Sequence, residues 1–110
     1  MKNLEQIRAK NALKGAGDSS LADTAKKVTT MIMDNGLLAT CAFAKDKEKE
    51  YEKVMGKIRS HLVDPGIGLI EKGDAEPDAF IQCLCDMDAA KLRTVTAETL
   101  AFMNYLRRLS

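Results

Sequence analysis

Few side chains in this sequence have the types and spacing needed for catalysis or metal binding. His61 is the single histidine, and no serine or cysteine near it forms a nucleophile motif, so we expect it at a helix end on the surface. Cys83 and Cys85 suggest a metal pair, but residues two apart on a helix point about 200° apart and cannot chelate one ion together. Asp86 and Asp88 are explained more simply as helix caps than as cation ligands. The sequence therefore predicts no catalytic residue, no metal site and no cofactor.

The basic residues are better candidates for a functional role. Lysines recur at every fourth position, which predicts a ridge along one helix: Lys45, Lys49, Lys53 and Lys57. Glutamates run beside this ridge, so a solvated, ion-paired helix face is the alternative interpretation. Further cations fall on three other predicted helices: Arg8, Lys10, Lys14, Lys26, Lys27, Arg93, Arg107 and Arg108. If those helices pack side by side, the cations form a positive surface suited to nucleic-acid backbones rather than to base readout.

Composition sets the broad class of the protein. The 110 residues are 45% hydrophobic and 30% charged, with two prolines, which favours one folded helical domain over a disordered chain. The net charge of +1 means that any basic surface must be local. Three cysteines are typical of reduced thiols in a chain that is not secreted. We expect a cytoplasmic protein without a membrane partner, since no signal-peptide region and no membrane-length apolar run is apparent.

Apolar periodicity and helix stop signals predict the elements that position the cations. The predicted helices cover residues 2–14, 21–34 and 37–62 (with a break or bend near Asp46), then a short helix from Pro77 and a long C-terminal helix. Asn35-Gly36 and Asp64-Pro65-Gly66 supply stops between them. We therefore expect an all-α fold, a compact single-domain bundle of five to six helices over residues 1–110.

The last helix, residues 92–110, is predicted to be the axis on which the shorter helices pack. Its apolar seam follows spacings of three and four residues: Leu92, Val95, Thr99, Phe102, Leu106 and Leu109. Arg93 and Glu98 lie five residues apart, a poor spacing for a mutual ion pair, so we expect either of them to cap or bridge a neighbouring helix. The first helix has its own predicted apolar side: Leu4, Ile7, Ala9, Ala12 and Leu13.

Residues 63–76 form the longest segment without helical periodicity, and a loop of this length is often functional. Three apolar side chains within it are unusual for a solvated loop: Ile67, Leu69 and Ile70. Packing into the core is the simpler interpretation. Contact with another subunit is the alternative.

Several short segments, in this order, resemble one protein family. They are Arg8-Ala9-x-x-Ala12, Lys26-Lys27-Val28, Ile32-x-x-Asn35-Gly36-Leu37, Ala42-Phe43, Arg93-x-x-Thr96-x-Glu98 and Leu106-Arg107-Arg108. The set is similar to the small helical subunit of the type III-B CRISPR effector, the Cmr complex. The resemblance covers almost the whole chain, and the C-terminal pattern is its most specific part.

The resemblance implies a non-catalytic subunit. Members of that family stack in several copies as a minor filament beside the large subunit and, with the backbone subunits, cradle the guide RNA and its paired target RNA. The matching basic positions are the candidate RNA contacts: Arg8, Lys26, Lys27, Arg93, Arg107 and Arg108. The competing hypothesis is a helical protein-interaction adaptor that never touches nucleic acid and uses an apolar surface such as the 67–70 segment.

Overall fold

The computed structural model describes residues 3–15, 19–46 and 49–110, and within them the chain is almost entirely helical. The α-helices are α1 Leu4–Gly15, α2 Ser19–Asn35, α3 Leu37–Asp46, α4 Lys49–Val63, α5 Pro77–Asp86 and α6 Ala89–Leu109, with a 3-10 turn at Lys72–Ala75. The described residues include no strand. They form a single globule with a Cα radius of gyration of 12.7 Å. The predicted all-α bundle with a long last helix is confirmed.

Local capping chemistry sets the helix boundaries. Gly36 has a φ of +93° between α2 and α3, which is the left-handed conformation expected of the Asn-Gly stop. Pro77 is the first residue of α5, and the Asp88 carboxylate accepts the backbone N–H of Lys91 at 2.7 Å to start α6. The break or bend predicted near Asp46 is also confirmed, since α3 and α4 are separate helices and the Phe43 and Tyr51 ring centroids lie only 5.3 Å apart.

The long helix α6 is the centre of the packing. It contacts α1 and α2 most extensively and also lies against α4. Four residues of its predicted seam are buried, and Met103 beside them is buried as well: Val95, Thr99, Phe102 and Leu106. Leu109, the last residue of the helix, is exposed, so the predicted seam is wrong at its final position.

Helix α1 is held to the bundle by polar contacts as well as by apolar packing, and the predicted apolar side did not indicate the polar contacts. Ala12 is buried, but Leu4 is exposed and Leu13 is 62% exposed, so the predicted side is wrong at those two leucines. The positions that face the bundle instead bond to it: Arg8 binds a carboxylate of α6, and Glu5 accepts the Tyr105 hydroxyl at 2.8 Å. Ile7 and Ala9 are half-buried, so this helix combines a narrow apolar contact with specific polar partners.

The segment after α4 folds back on the core. Ile70 is 7% exposed, and Ile67 and Leu69 are half-buried against the core cluster. The backbone N–H groups of Leu69 and Ile70 both reach the Leu62 carbonyl oxygen, at 3.2 and 3.3 Å. The three side chains thus pack as the core interpretation predicts, and little of Ile70 is left for a partner.

Gly36 provides a test of the α2–α3 junction. A Cβ at this position would meet no atom within 4 Å, so replacement by alanine costs only the left-handed backbone conformation. We expect Gly36→Ala to lower the free energy of unfolding by about 1–2 kcal/mol in urea denaturation. Gly73→Ala is the matched control, because Gly73 is equally open but its φ is not positive. Equal losses in the two variants would contradict this account.

Candidate nucleic-acid interface

The interior contains one carboxylate that joins three helices. Glu98 of α6 is 8% exposed. Its two oxygens accept Nε and Nη2 of Arg8 in α1, at 2.8 and 2.7 Å. His61 of α4 places Nε2 at 2.9 Å from Glu98 Oε2. Glu98 therefore bridges neighbouring helices, as its poor spacing from Arg93 predicted, and its charge is neutralised by a bidentate arginine.

His61 is buried, so the predicted surface position is wrong. Its ring stacks on Phe102 with centroids 4.2 Å apart and planes 10° apart. Its second nitrogen, Nδ1, lies 2.9 Å from Asn11 Nδ2, and the same amide group donates to Asp64 Oδ2 at 3.0 Å. The prediction of a helix end for His61 is confirmed, but side chains of α1 and α6 pack against its ring.

Hydrogen-bond roles along this chain of groups are consistent with one protonation state. A neutral His61 donates from Nε2 to Glu98 and accepts at Nδ1 from Asn11. A second proton on Nδ1 would face the Asn11 amide hydrogens, and turning that amide would set its oxygen against Asp64. The network therefore favours the neutral ring.

The pKa values of His61 and Glu98 are both lowered, which favours a neutral imidazole beside an ionised carboxylate. Burial lowers the pKa of His61 below its ordinary value and outweighs the opposing hydrogen bond to Glu98. Burial raises the pKa of Glu98, but the hydrogen bonds from Arg8 and His61 more than offset it, so the net pKa is lowered. At neutral pH the pair is a carboxylate beside a neutral imidazole, and both ring nitrogens are already engaged. We assign this network a structural role.

The other predicted reactive groups also lie apart from one another. Cys83 packs partly against the core and Cys85 is exposed, so the two thiols face different surroundings, as their spacing predicts. Within the described part of the chain, no group of three or more His, Cys, Asp or Glu residues is arranged to hold a metal ion. None of the helices described above is long and apolar enough to cross a membrane.

The cations implied by the family resemblance divide into two groups. Lys26, Lys27, Arg93 and Arg108 are exposed. Arg8 is committed to Glu98, and Arg107 is half-buried and donates to Asn104 Oδ1 at 3.3 Å.

The helices that carry these cations do pack side by side, with α6 against both α1 and α2. Arg93 and Arg107 are 14 positions apart on one helix, however, and at 1.5 Å per residue that is about 21 Å. These cations therefore do not form one compact patch.

The predicted lysine ridge is wrong as a single ridge. Lys45 lies on α3 and pairs with Asp78 of α5, whereas Lys49, Lys53 and Lys57 lie on α4. The four-residue repeat forms one ridge only on an unbroken helix, and these lysines belong to two helices.

Two lysines of the ridge instead line a surface cleft of about 680 Å³ between α1 and α4. Lys53 and Lys57 meet Lys14 of α1 there, and His61 and Asp64 belong to its wall. Sequence reasoning identified each lysine but missed the cleft. The four-residue spacing of Lys53 and Lys57 indicates that these two lysines share one face of a helix. It does not indicate that Lys14 of α1 lies opposite them.

The described residues form six α-helices whose single histidine is held in a structural network and most of whose lysines are exposed, which are features of a helical binding or assembly subunit. The chain belongs to the CRISPR-associated protein family Cas_Cmr5, which it matches over residues 3–110. This is the small-subunit family of the type III-B Cmr complex, and the resemblance seen in the sequence is confirmed. No curated protein and no solved structure matches the chain significantly.

Removal of the central carboxylate tests its structural role. Glu98→Gln keeps the shape but leaves the Arg8 guanidinium without its counter-charge. We expect this change to lower the free energy of unfolding by about 3 kcal/mol. This value is at the lower end of the range for breaking a buried ion pair, because Arg8 is partly exposed. Glu5→Gln makes the same chemical change at an exposed bond and should cost less than about 0.5 kcal/mol. Similar losses in both variants, measured in urea, would argue against a special role for Glu98.

Acid should destabilise the protein in two stages. The His61 pKa is lower when folded, so its contribution is complete above the unfolded value of about 6.5 and is lost as the pH falls toward the folded value. The Glu98 pKa is also lowered, so its contribution disappears at more acidic pH. His61→Gln keeps a donor to Glu98 but cannot titrate. Its free energy of unfolding should change less than that of the wild type between pH 7.5 and 5.5, and equal changes would refute the assignment.

Proposed function

We propose that this protein is a non-catalytic structural subunit of a type III-B CRISPR ribonucleoprotein, working in the cytoplasm in antiviral defence. It stacks with further copies of itself in a minor filament, beside the large subunit and the backbone subunits. A basic face contributes to the path of the guide RNA and its target RNA. The observation that carries the proposal is the family match over residues 3–110.

Four of the exposed cations support contact with RNA. Lys26 and Lys27 lie on the outer side of α2, and Arg93 and Arg108 lie on the outer side of α6. Exposed cations spread along helices suit successive backbone phosphates, which are contacted without regard to sequence. Arg8 is left out of this set, because both of its bonded nitrogens serve Glu98.

Exposed apolar side chains support contact with other subunits. Leu13 on α1 and Met33 near the end of α2 are 62% and 69% exposed. Leu4 and Leu109 are also exposed, at the first and last helical positions of the described chain. A neighbouring subunit that covers these side chains would gain the apolar burial that the isolated chain lacks.

The salt dependence of RNA binding tests the proposal. We expect the full chain to bind a 20-nucleotide oligouridylate weakly, with an affinity that falls as salt rises. The double variant Lys26→Ala/Lys27→Ala should reduce the slope of log K against log salt by roughly 1.4, which is roughly 0.7 for each lost single-strand phosphate contact. Fluorescence anisotropy measures both quantities.

A matched control removes two lysines elsewhere. Lys45 is paired with Asp78, and Lys72 lies in the 3-10 turn, so Lys45→Ala/Lys72→Ala should leave the slope nearly unchanged. Equal slopes in the wild type and the Lys26/Lys27 variant would remove those lysines from the RNA path. No salt-dependent binding by the wild type would favour the adaptor hypothesis.

A further inference from the structure

The cleft between α1 and α4 brings three lysines together. Its lining includes the ammonium-bearing residues Lys14, Lys53 and Lys57, together with the Ser60 hydroxyl on the same side of α4. The three lysines come from two helices, so the cleft exists only in the folded chain. A volume of about 680 Å³ is large enough for a nucleotide-sized group.

The charge in this cleft is largely available to a ligand. Lys53 makes one loose ion pair, at 3.5 Å from Glu50, and Lys14 and Lys57 form none with the part of the chain that the structure describes. Asp64 is the single acidic residue among the described residues that line the cleft. Its oxygens already accept Asn11 Nδ2 and the Gly66 N–H at 3.0 and 2.8 Å. Three lysines against one aspartate leave a net charge of +2 on the lining residues.

The inner wall of the cleft is held in place by the buried network. Asn11, His61 and Asp64 bond to one another, and His61 is anchored to Glu98. A wall that is already ordered spends little free energy on ordering when a ligand binds. Gly56 lies on the α4 side without a side chain, so a ligand can approach the helix closely there.

We propose that this cleft binds phosphate groups of an RNA backbone, with Lys14, Lys53 and Lys57 as the contacting cations. Lysine ammonium groups suit phosphate because they act as point charges with rotatable donors. The inference rests on the proposed function, and it shifts part of the RNA path to residues that the family resemblance did not mark. Free phosphate shares this chemistry, so the experiment separates it from RNA.

The first experiment compares two triple variants of the full chain by fluorescence anisotropy with the 20-nucleotide oligouridylate in 0.1 M salt. Lys14→Gln/Lys53→Gln/Lys57→Gln should weaken binding roughly 10- to 100-fold, because three phosphate contacts are lost. Lys45→Gln/Lys49→Gln/Lys72→Gln removes the same charge outside the cleft and should weaken binding less than threefold. Binding of the cleft variant within twofold of the wild type would overturn the inference.

A second variant blocks the cleft while leaving its lysines intact. A Cβ at Gly56 would meet nothing nearer than Arg59 Nη2 at 3.6 Å, so a side chain can start there without a clash, and Gly56→Glu also improves helix propensity. Its carboxylate should weaken RNA binding at least as much as loss of one lysine, whereas Gly56→Gln should have a smaller effect. A Gly56→Glu variant that is as stable as the wild type and binds RNA equally well would also overturn the inference.

The amide signals of Gly56, Lys57 and Ser60 distinguish the source of the phosphate. Oligouridylate should shift these signals in ¹H–¹⁵N spectra at lower concentration than inorganic phosphate does. Shifts with inorganic phosphate alone would make the cleft a site for free anions and overturn the RNA assignment.

If the cleft variants bind normally but Lys26→Ala/Lys27→Ala does not, the inference fails and the proposed function stands. If the wild type binds no RNA, both fail.

Discussion

The buried carboxylate of Glu98 is the constraint on which the rest of the structure depends. A charge so far from water is tolerated only when it is paired and hydrogen-bonded. Helix α6 carries this charge into the interior, and the Arg8 guanidinium and the His61 imidazole satisfy it from two other helices. The pairing requires α1 to lie in one register on α6, although Leu4 and Leu13 of that helix are exposed. A hydrophobic stripe would tolerate small slips that a bidentate ion pair does not.

The need to neutralise the buried Glu98 carboxylate also decides which polar side chains hold the fold together. Arg8 and His61 are bound to Glu98 inside the protein, and the proposed interface consists of other cations. The same network extends through Asn11 to Asp64, and it thereby shapes the wall of the cleft between α1 and α4. Interior and surface are thus connected through a few hydrogen bonds. The proposed RNA contact would gain from this arrangement, because the wall of the cleft is ordered before a ligand binds.

The family match and the contacts inside the fold are consistent with each other. The family match identifies the complex to which the chain belongs, and it covers nearly all of the chain. Physical reasoning explains why Arg8 and Glu98, which both occur in the segments that resemble the family, belong together: they are partners, at 2.7 Å. Two residues first considered for contact with RNA or a neighbouring helix turn out to hold the fold together.

Local physical chemistry, which acts within a few residues, determined what could be predicted from the sequence alone. The glycine stop at Gly36, the cap at Asp88 and the periodic seam of α6 depend on neighbours along the chain, so the helices and the all-α class followed from spacing. The tertiary structure decided the pairings. Arg8 and Glu98 are 90 positions apart, and the lysines of the cleft come from separate helices. No local rule selects such partners, because the choice depends on how helices pack to bury apolar surface while every buried charge is satisfied.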